Sequence, residues 1–204
     1  MKKITIHQPE HFPYLGFFQK MNKSDLFVIL DNVNYRKNYF QNRNKIKNTN
    51  GLDDWFTIPV EKNATNKLIK DVEVSSDSKW RRKLLNKLYM NLGLNLKEIY
   101  ESDSLIKINM KSIKYCMDKL NINTPLIKAS SLNVSGEKSE LLANIVKELN
   151  GDSYISGPSG KDYLDLNYFD NIEVEYFEPI VDNHYSTLYN IAKGLVCELH
   201  LNNI

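Results

Sequence analysis

Residues 4–46 read ITIHQPEHFPYLGFFQKMNKSDLFVILDNVNYRKNYFQNRNKI, and their pattern decides the fold. Ile4 and Ile6 flank polar residues in a short strand that breaks at Gln8-Pro9. Tyr14, Phe17, Phe18 and Met21 then fall at helical spacing, with Pro13 suited to a first turn. Leu26 to Leu30 is a continuous apolar run, as in a strand buried on both faces of a parallel sheet. The first thirty residues therefore predict a βαβ unit. Asp31 ends its second strand. No acidic residue lies between Asn32 and Leu52, while Arg36, Lys37, Arg43, Lys45 and Lys47 supply five positive charges. A cationic loop just past a strand's carboxyl end is where open parallel sheets hold anionic ligands.

Residues 43–60 predict a hairpin around the turn Asn48-Thr49-Asn50-Gly51, with a third short strand from Ile69 to Val74 beside it. Ser76 or Ser78 can cap a helix that carries Trp80, Leu84, Leu85, Leu88 and Leu92 and stops near Gly93. A second helix from about Leu105 places Ile106, Ile113, Met117 and Leu120 inside. Residues 77–121 thus form a helical insertion in one α/β domain spanning 1–204. Beyond it come a strand at 126–129, a helix with Leu141, Leu142, Ile145, Val146 and Leu149, and a strand at Tyr154-Ile155. Strand Val174 to Phe177 and a weakly helical tail from Tyr185 complete the reading. The expected class is three-layer α/β with a mainly parallel sheet.

Composition sets limits. With 42% apolar and 25% charged residues the chain is a folded globular protein. Its 27 basic and 25 acidic residues leave a net charge of +2, too small for a nucleic-acid partner. Cys116 and Cys197 have no metal or redox spacing and read as core residues. No apolar run approaches the roughly 18 residues of a membrane span. The first strand begins within three residues of Met1, which predicts no signal peptide and a cytoplasmic protein.

His7, Gln8 and His11 fall after the first strand, where an imidazole can move a proton or meet a phosphate. Pro9 and Pro13 argue against a helical His pair, so no metal site is expected. The structural alternative packs His7 under the sheet and leaves His11 in solvent. Asp31 at the same rim could hold an amine, or could cap a turn. Arg36, Lys37, Asn42, Arg43 and Asn44 suit phosphate and sugar hydroxyls; the alternative is a solvated basic turn. Ser156-Gly157-Pro158-Ser159-Gly160-Lys161 follows a strand and can turn backbone N–H groups toward an anion. It lacks the spacing of a Walker A loop. Alone it also fits a tight turn.

These residues carry a resemblance. His7-Gln8-Pro9, Phe12-Pro13-Tyr14, Gly16, Phe18, Lys20, Asp25, Asp31, Lys37 and Asn42-Arg43-Asn44 occur in the order of the WbqC-like family's motifs. Trp55 to Val60, Trp80 to Lys83, Glu140-Leu141-Leu142 and Ser156 to Asp165 continue the match. Near the end Ser186 and Leu188 fit, but Tyr189 stands where the family pattern has an aspartate. The resemblance implies a place in O-antigen or other surface-polysaccharide synthesis. The opening is also similar in outline to ATP-using nucleotidyltransferase-like proteins. Of their HxGH segment, Tyr14-Leu15-Gly16-Phe17 keeps only the glycine.

The expectation is an enzyme acting on a nucleotide-linked amino sugar, by acyl or aminoacyl transfer to the sugar amine. His7, Asp31 and His11 are the catalytic candidates. Gln8, Tyr14, Lys37, Asn42, Arg43, Asn44, Ser156, Gly157, Ser159, Gly160 and Lys161 are the substrate-binding candidates. No cofactor is fixed by the sequence; ATP and an acyl donor are the candidate co-substrates, and a homodimer is open. The alternatives are a non-catalytic sugar-nucleotide-binding accessory subunit and a nucleotidyltransferase-like enzyme.

Overall fold

The computed structural model describes residues 1–196. Cys197 therefore lies outside the described residues. The opening unit forms as its pattern dictates: β1 (Lys3–His7), α1 (Leu15–Asn22) and β2 (Leu26–Ile29). The hairpin β3 (Arg43–Lys47) and β4 (Asp53–Thr57) follows, then α2 (Lys79–Leu92) and α3 (Leu105–Leu120). The chain continues through β5 (Leu126–Lys128), α4 (Lys138–Glu148), β6 (Ser153–Ser156), α5 (Gly160–Tyr163), β7 (Glu173–Tyr176) and α6 (Thr187–Ala192).

Five strands form a parallel sheet in the order β5-β2-β1-β6-β7, while β3 and β4 pair antiparallel on their own. Alternation along β2 makes the three layers. Phe27 and Ile29 join a core with α1, α2, α3 and the hairpin, whereas Val28 and Leu30 join α4 in a second core. Ile4 and Ile6 also face the α4 core, so His7 lies on the α1 side, its ring centroid 4.9 Å from that of Phe17.

From β1 the chain winds outward through β2 to β5, then returns to place β6 on the other side of β1. The winding therefore reverses between β1 and β6. The carboxyl ends of these two strands flank the crevice where such sheets bind ligands.

The segment Ile69 to Val74 departs from expectation. Ile69–Asp71 is a 3₁₀ turn, and Val74 makes only an isolated bridge to Val60. The Ile69 and Lys70 amides are taken by the carbonyls of Val33 and Asp31, and Val72 N–H closes back on Ile69. No extended ladder remains for a strand. The loop after β6, read as a tight turn, closes into the single-turn helix α5.

Candidate functional site

The loop His7–Tyr14 is held in shape by polar side chains from three other elements. Asn44 Nδ2 donates to the carbonyl of Phe12 at 2.8 Å, and Ser112 Oγ accepts from Phe12 N–H at 3.1 Å. Asn109 Nδ2 donates to Pro9 O at 3.4 Å and to Gln41 O at 2.7 Å, and His11 N–H donates to Phe40 O at 2.9 Å. These bonds keep Phe12 at φ 44°, a left-handed conformation that a phenylalanine seldom adopts unaided. The cationic loop is tied to the same place. Gln41 Nε2 donates to Gln8 Oε1 at 2.7 Å, and Gln41 Oε1 accepts from Arg36 N–H at 2.9 Å.

Between the ends of β1 and β6 lies a cavity of about 180 Å³, lined by His7, Tyr14, Lys20, Gly157 and Ser159 and closed by Phe177 and Pro179. Gly16 lets α1 approach that closure: an added Cβ would fall 2.6 Å from the Pro179 Cβ. Gly157 borders open space, since a Cβ there meets no atom within 4 Å.

The electrostatics of this cavity are unusual for so small a volume. His7 Nδ1 lies 2.9 Å from the Gln8 carbonyl, so it carries the proton and Nε2 keeps the lone pair. Burial, reinforced by the Lys20 ammonium, pushes the His7 pKa down to about 3, so the ring is neutral at working pH. Lys20 and Glu10 are each only 5% exposed. Burial lowers Lys20 to about 8, with Glu10 acting in the opposite direction, and raises Glu10 to about 7, with Lys20 opposing. Lys20 lines the cavity beside the neutral imidazole, while Glu10 lies outside the lining and acts on Lys20 by its charge.

His11 and Asp31 lie elsewhere. His11 is completely buried, with Nε2 3.0 Å from the Tyr100 hydroxyl, and burial pushes its pKa down to about 3. Asp31 is 1% exposed, and its two carboxylate oxygens accept from Ser130 N–H at 2.9 Å and Ser130 Oγ at 2.7 Å. It joins the loop after β5 to the end of β2.

The amides of the cationic loop are inward. Asn42 Nδ2 donates to Ile58 O at 2.8 Å, and Asn44 is committed to the His7–Tyr14 loop. Arg43 stacks 4.4 Å from the Trp55 ring centroid while Nη2 donates to Asn38 O at 2.6 Å. Arg36 stacks over Tyr39 at 4.6 Å, and Lys37 is exposed. This surface meets the glycine loop. Tyr163 has its pKa raised by burial and, further, by nearby Tyr39 and Tyr176. Ser156 Oγ is buried beside the Tyr154 and Tyr163 hydroxyls, Gly160 packs against it, and Lys161 pairs with Glu178 at 3.0 Å.

The profile of the WbqC-like protein family matches residues 8–191, from Gln8 at the end of the central strand into α6. The chain belongs to the WbqC-like protein family. An uncharacterized protein of Mycobacterium tuberculosis is 28% identical over 186 residues, covering 85% of this chain and 80% of that relative. No solved structure matches.

In this WbqC-like chain, then, the fold brings His7, Tyr14, Gly157 and Ser159 to the lining of one cavity, with Gln8 tied to Gln41 of the cationic loop. His11, Asp31, Asn42 and Asn44 serve the framework. Sequence reasoning passed over Glu10 and Lys20. The available signal was a lysine on the apolar face of a helix, among Phe17, Phe18 and Met21, where a solvated charge has no place. No group of three or more His, Cys, Asp or Glu placed to hold a metal occurs among the described residues, and none of their helices is long and apolar enough to cross a membrane.

Proposed function

We propose that this WbqC-like protein is an enzyme of surface-polysaccharide synthesis that binds a nucleotide-linked amino sugar and transfers an acyl or aminoacyl group to the sugar amine. One observation carries the reading: the cavity at the reversal of the sheet joins a neutral His7 to the glycine loop, and Gln8 next to His7 is tied through Gln41 to the cationic loop. The diphosphate lies against residues 157–161 and the rim formed by Arg36 and Lys37, and the sugar lies over His7 and Gln8. Exposed Tyr39 and Tyr163 offer faces for the base.

In the transfer step the free amine attacks the carbonyl carbon of an activated acyl donor. The C–N bond forms, the bond to the leaving group breaks, and His7 Nε2 takes the amine proton and returns it to the leaving group. A base with so low a pKa orients the amine more effectively than it ionises it. The amine therefore enters already deprotonated.

That same low pKa favours a second reading, a sugar-nucleotide-binding subunit whose partner performs the chemistry. Incubation with thymidine- and uridine-diphospho amino sugars and acyl thioesters separates the two. A product heavier by the acyl group supports the enzyme. A thermal shift without turnover, with turnover appearing when a partner transferase is added, selects the subunit. Neither shift nor product with any sugar nucleotide removes both.

A further inference from the structure

Lys20 lines the cavity from α1, is 95% buried by its 5% exposure, and makes no hydrogen bond or ion pair with a described residue. A largely buried ammonium with no hydrogen-bonded partner is costly, and an anion placed against it offsets that cost. The groups around it leave little choice of ligand. His7 from β1 is neutral, as is Tyr14 from the following loop, whose pKa is raised to about 12 by burial and then by Glu10. Ser159 comes from the loop after β6, and Phe177 and Pro179 close the far side. Glu178, between those two, is engaged by Lys161. Glu10 supplies the remaining charge. It too is buried, close enough to Lys20 for each to alter the other's ionisation.

We infer that the cavity is a proton-coupled oxyanion site in which the Lys20 ammonium receives a phosphoryl or carboxylate oxygen while Glu10 takes a proton from solvent. The identity of the natural ligand rests on the reading above: a phosphoryl group would come from the sugar nucleotide, a carboxylate from an acyl donor or a sugar acid. A volume of about 180 Å³ admits one such group and not a nucleotide. The pH dependence follows from the same pair. Below about 7 the site holds cationic Lys20 and neutral Glu10; above about 8 it holds neutral Lys20 and anionic Glu10. An incoming anion raises the proton affinity of both, so binding and proton uptake are one event.

The test is calorimetric titration of the full chain with sulfate and with acetate, neither of which changes protonation between pH 6.5 and 8.5. Binding at least tenfold weaker at pH 8.5 is expected, with proton uptake near pH 7.5 revealed by buffers of different ionisation enthalpy. Glu10→Gln should remove the share of the uptake that Glu10 carries and leave only that of Lys20. Lys20→Met, which removes a buried charge at little change in volume, should weaken binding at least tenfold at pH 6.5 without lowering the melting temperature; Lys20→Gln is measured beside it. Preference for sulfate assigns the phosphoryl source, preference for acetate the carboxylate. No binding of either anion, binding unchanged in both Lys20 variants, or binding without proton uptake overturns the inference. Turnover of a sugar nucleotide without such binding removes the inference alone. Anion binding without any sugar-nucleotide interaction leaves the site and removes the function proposed for it.

Discussion

Gln41 Nε2 donates to Gln8 Oε1 at 2.7 Å, and this bond joins the exit of the central strand to the cationic loop. Gln41 Oε1 accepts from Arg36 N–H, and the Gln41 backbone carbonyl accepts from Asn109 Nδ2. Gln41 is wholly buried. Gln41→Ala should cost about 1–3 kcal/mol of folding stability, the scale for stranding buried hydrogen-bonding groups. It should also weaken sugar-nucleotide binding severalfold, because the rim is no longer set against His7. Denaturant unfolding and calorimetry on one preparation measure both.

His7→Gln should lower turnover by about 10²–10⁴-fold, the range for losing one proton-transfer group. Affinity should change little, since glutamine keeps a polar side chain at the cavity wall. The informative quantity is the pH–rate profile. Burial pushes His7 down to about 3, so an acidic limb near 7 does not belong to the imidazole and should survive in the variant. A limb that vanishes with His7 would give the neutral-pH ionisation to the imidazole instead.

Asp31→Ala should destabilise the protein by about 2–3 kcal/mol, because both carboxylate oxygens are used by Ser130 in a buried setting. Activity per folded molecule should stay at the wild-type level. A large fall in specific activity with an unchanged melting temperature would return Asp31 to the chemistry.

Asp31 illustrates which parts of the molecule its sequence makes legible. The βαβ opening, the hairpin and the parallel sheet follow from periodicity, since Leu26 to Leu30 can be continuously apolar only between two layers. Local pattern also put His7, Asp31 and the cationic loop at one edge. Which of these polar groups are free depends on partners far along the chain. Ser130 engages Asp31, Ile58 engages Asn42, Phe12 engages Asn44 and Tyr100 contacts His11. Spacing does not reveal such partners. Lys20 differs: a lysine on the apolar face of its helix is visible in the pattern, but its place in a cavity emerges only when β6, Phe177 and Pro179 close around it.

Acid should destabilise the fold through His11. Its folded pKa, pushed down to about 3 by complete burial, lies below the unfolded value of 6.5. The neutral ring therefore favours the folded state above about 6.5, and this contribution falls by about 1.4 kcal/mol per pH unit down to about 3. Glu10 works the other way between 4.5 and about 7, so the comparison must be a difference. Unfolding free energies of wild type and His11→Gln, measured from pH 7 to pH 4, should converge with that slope. Parallel curves would mean that His11 protonates without cost.

The central claim is that the ligand enters between β1 and β6. Gly157 offers a direct test, because a Cβ there meets no atom within 4 Å and its backbone does not require a glycine conformation. Gly157→Leu should fill the mouth of the cavity and leave the fold unstrained. Calorimetric titration of this variant with thymidine- and uridine-diphospho amino sugars should show no binding at a wild-type melting temperature. Wild-type affinity in the stably folded variant would contradict the account and place the ligand elsewhere.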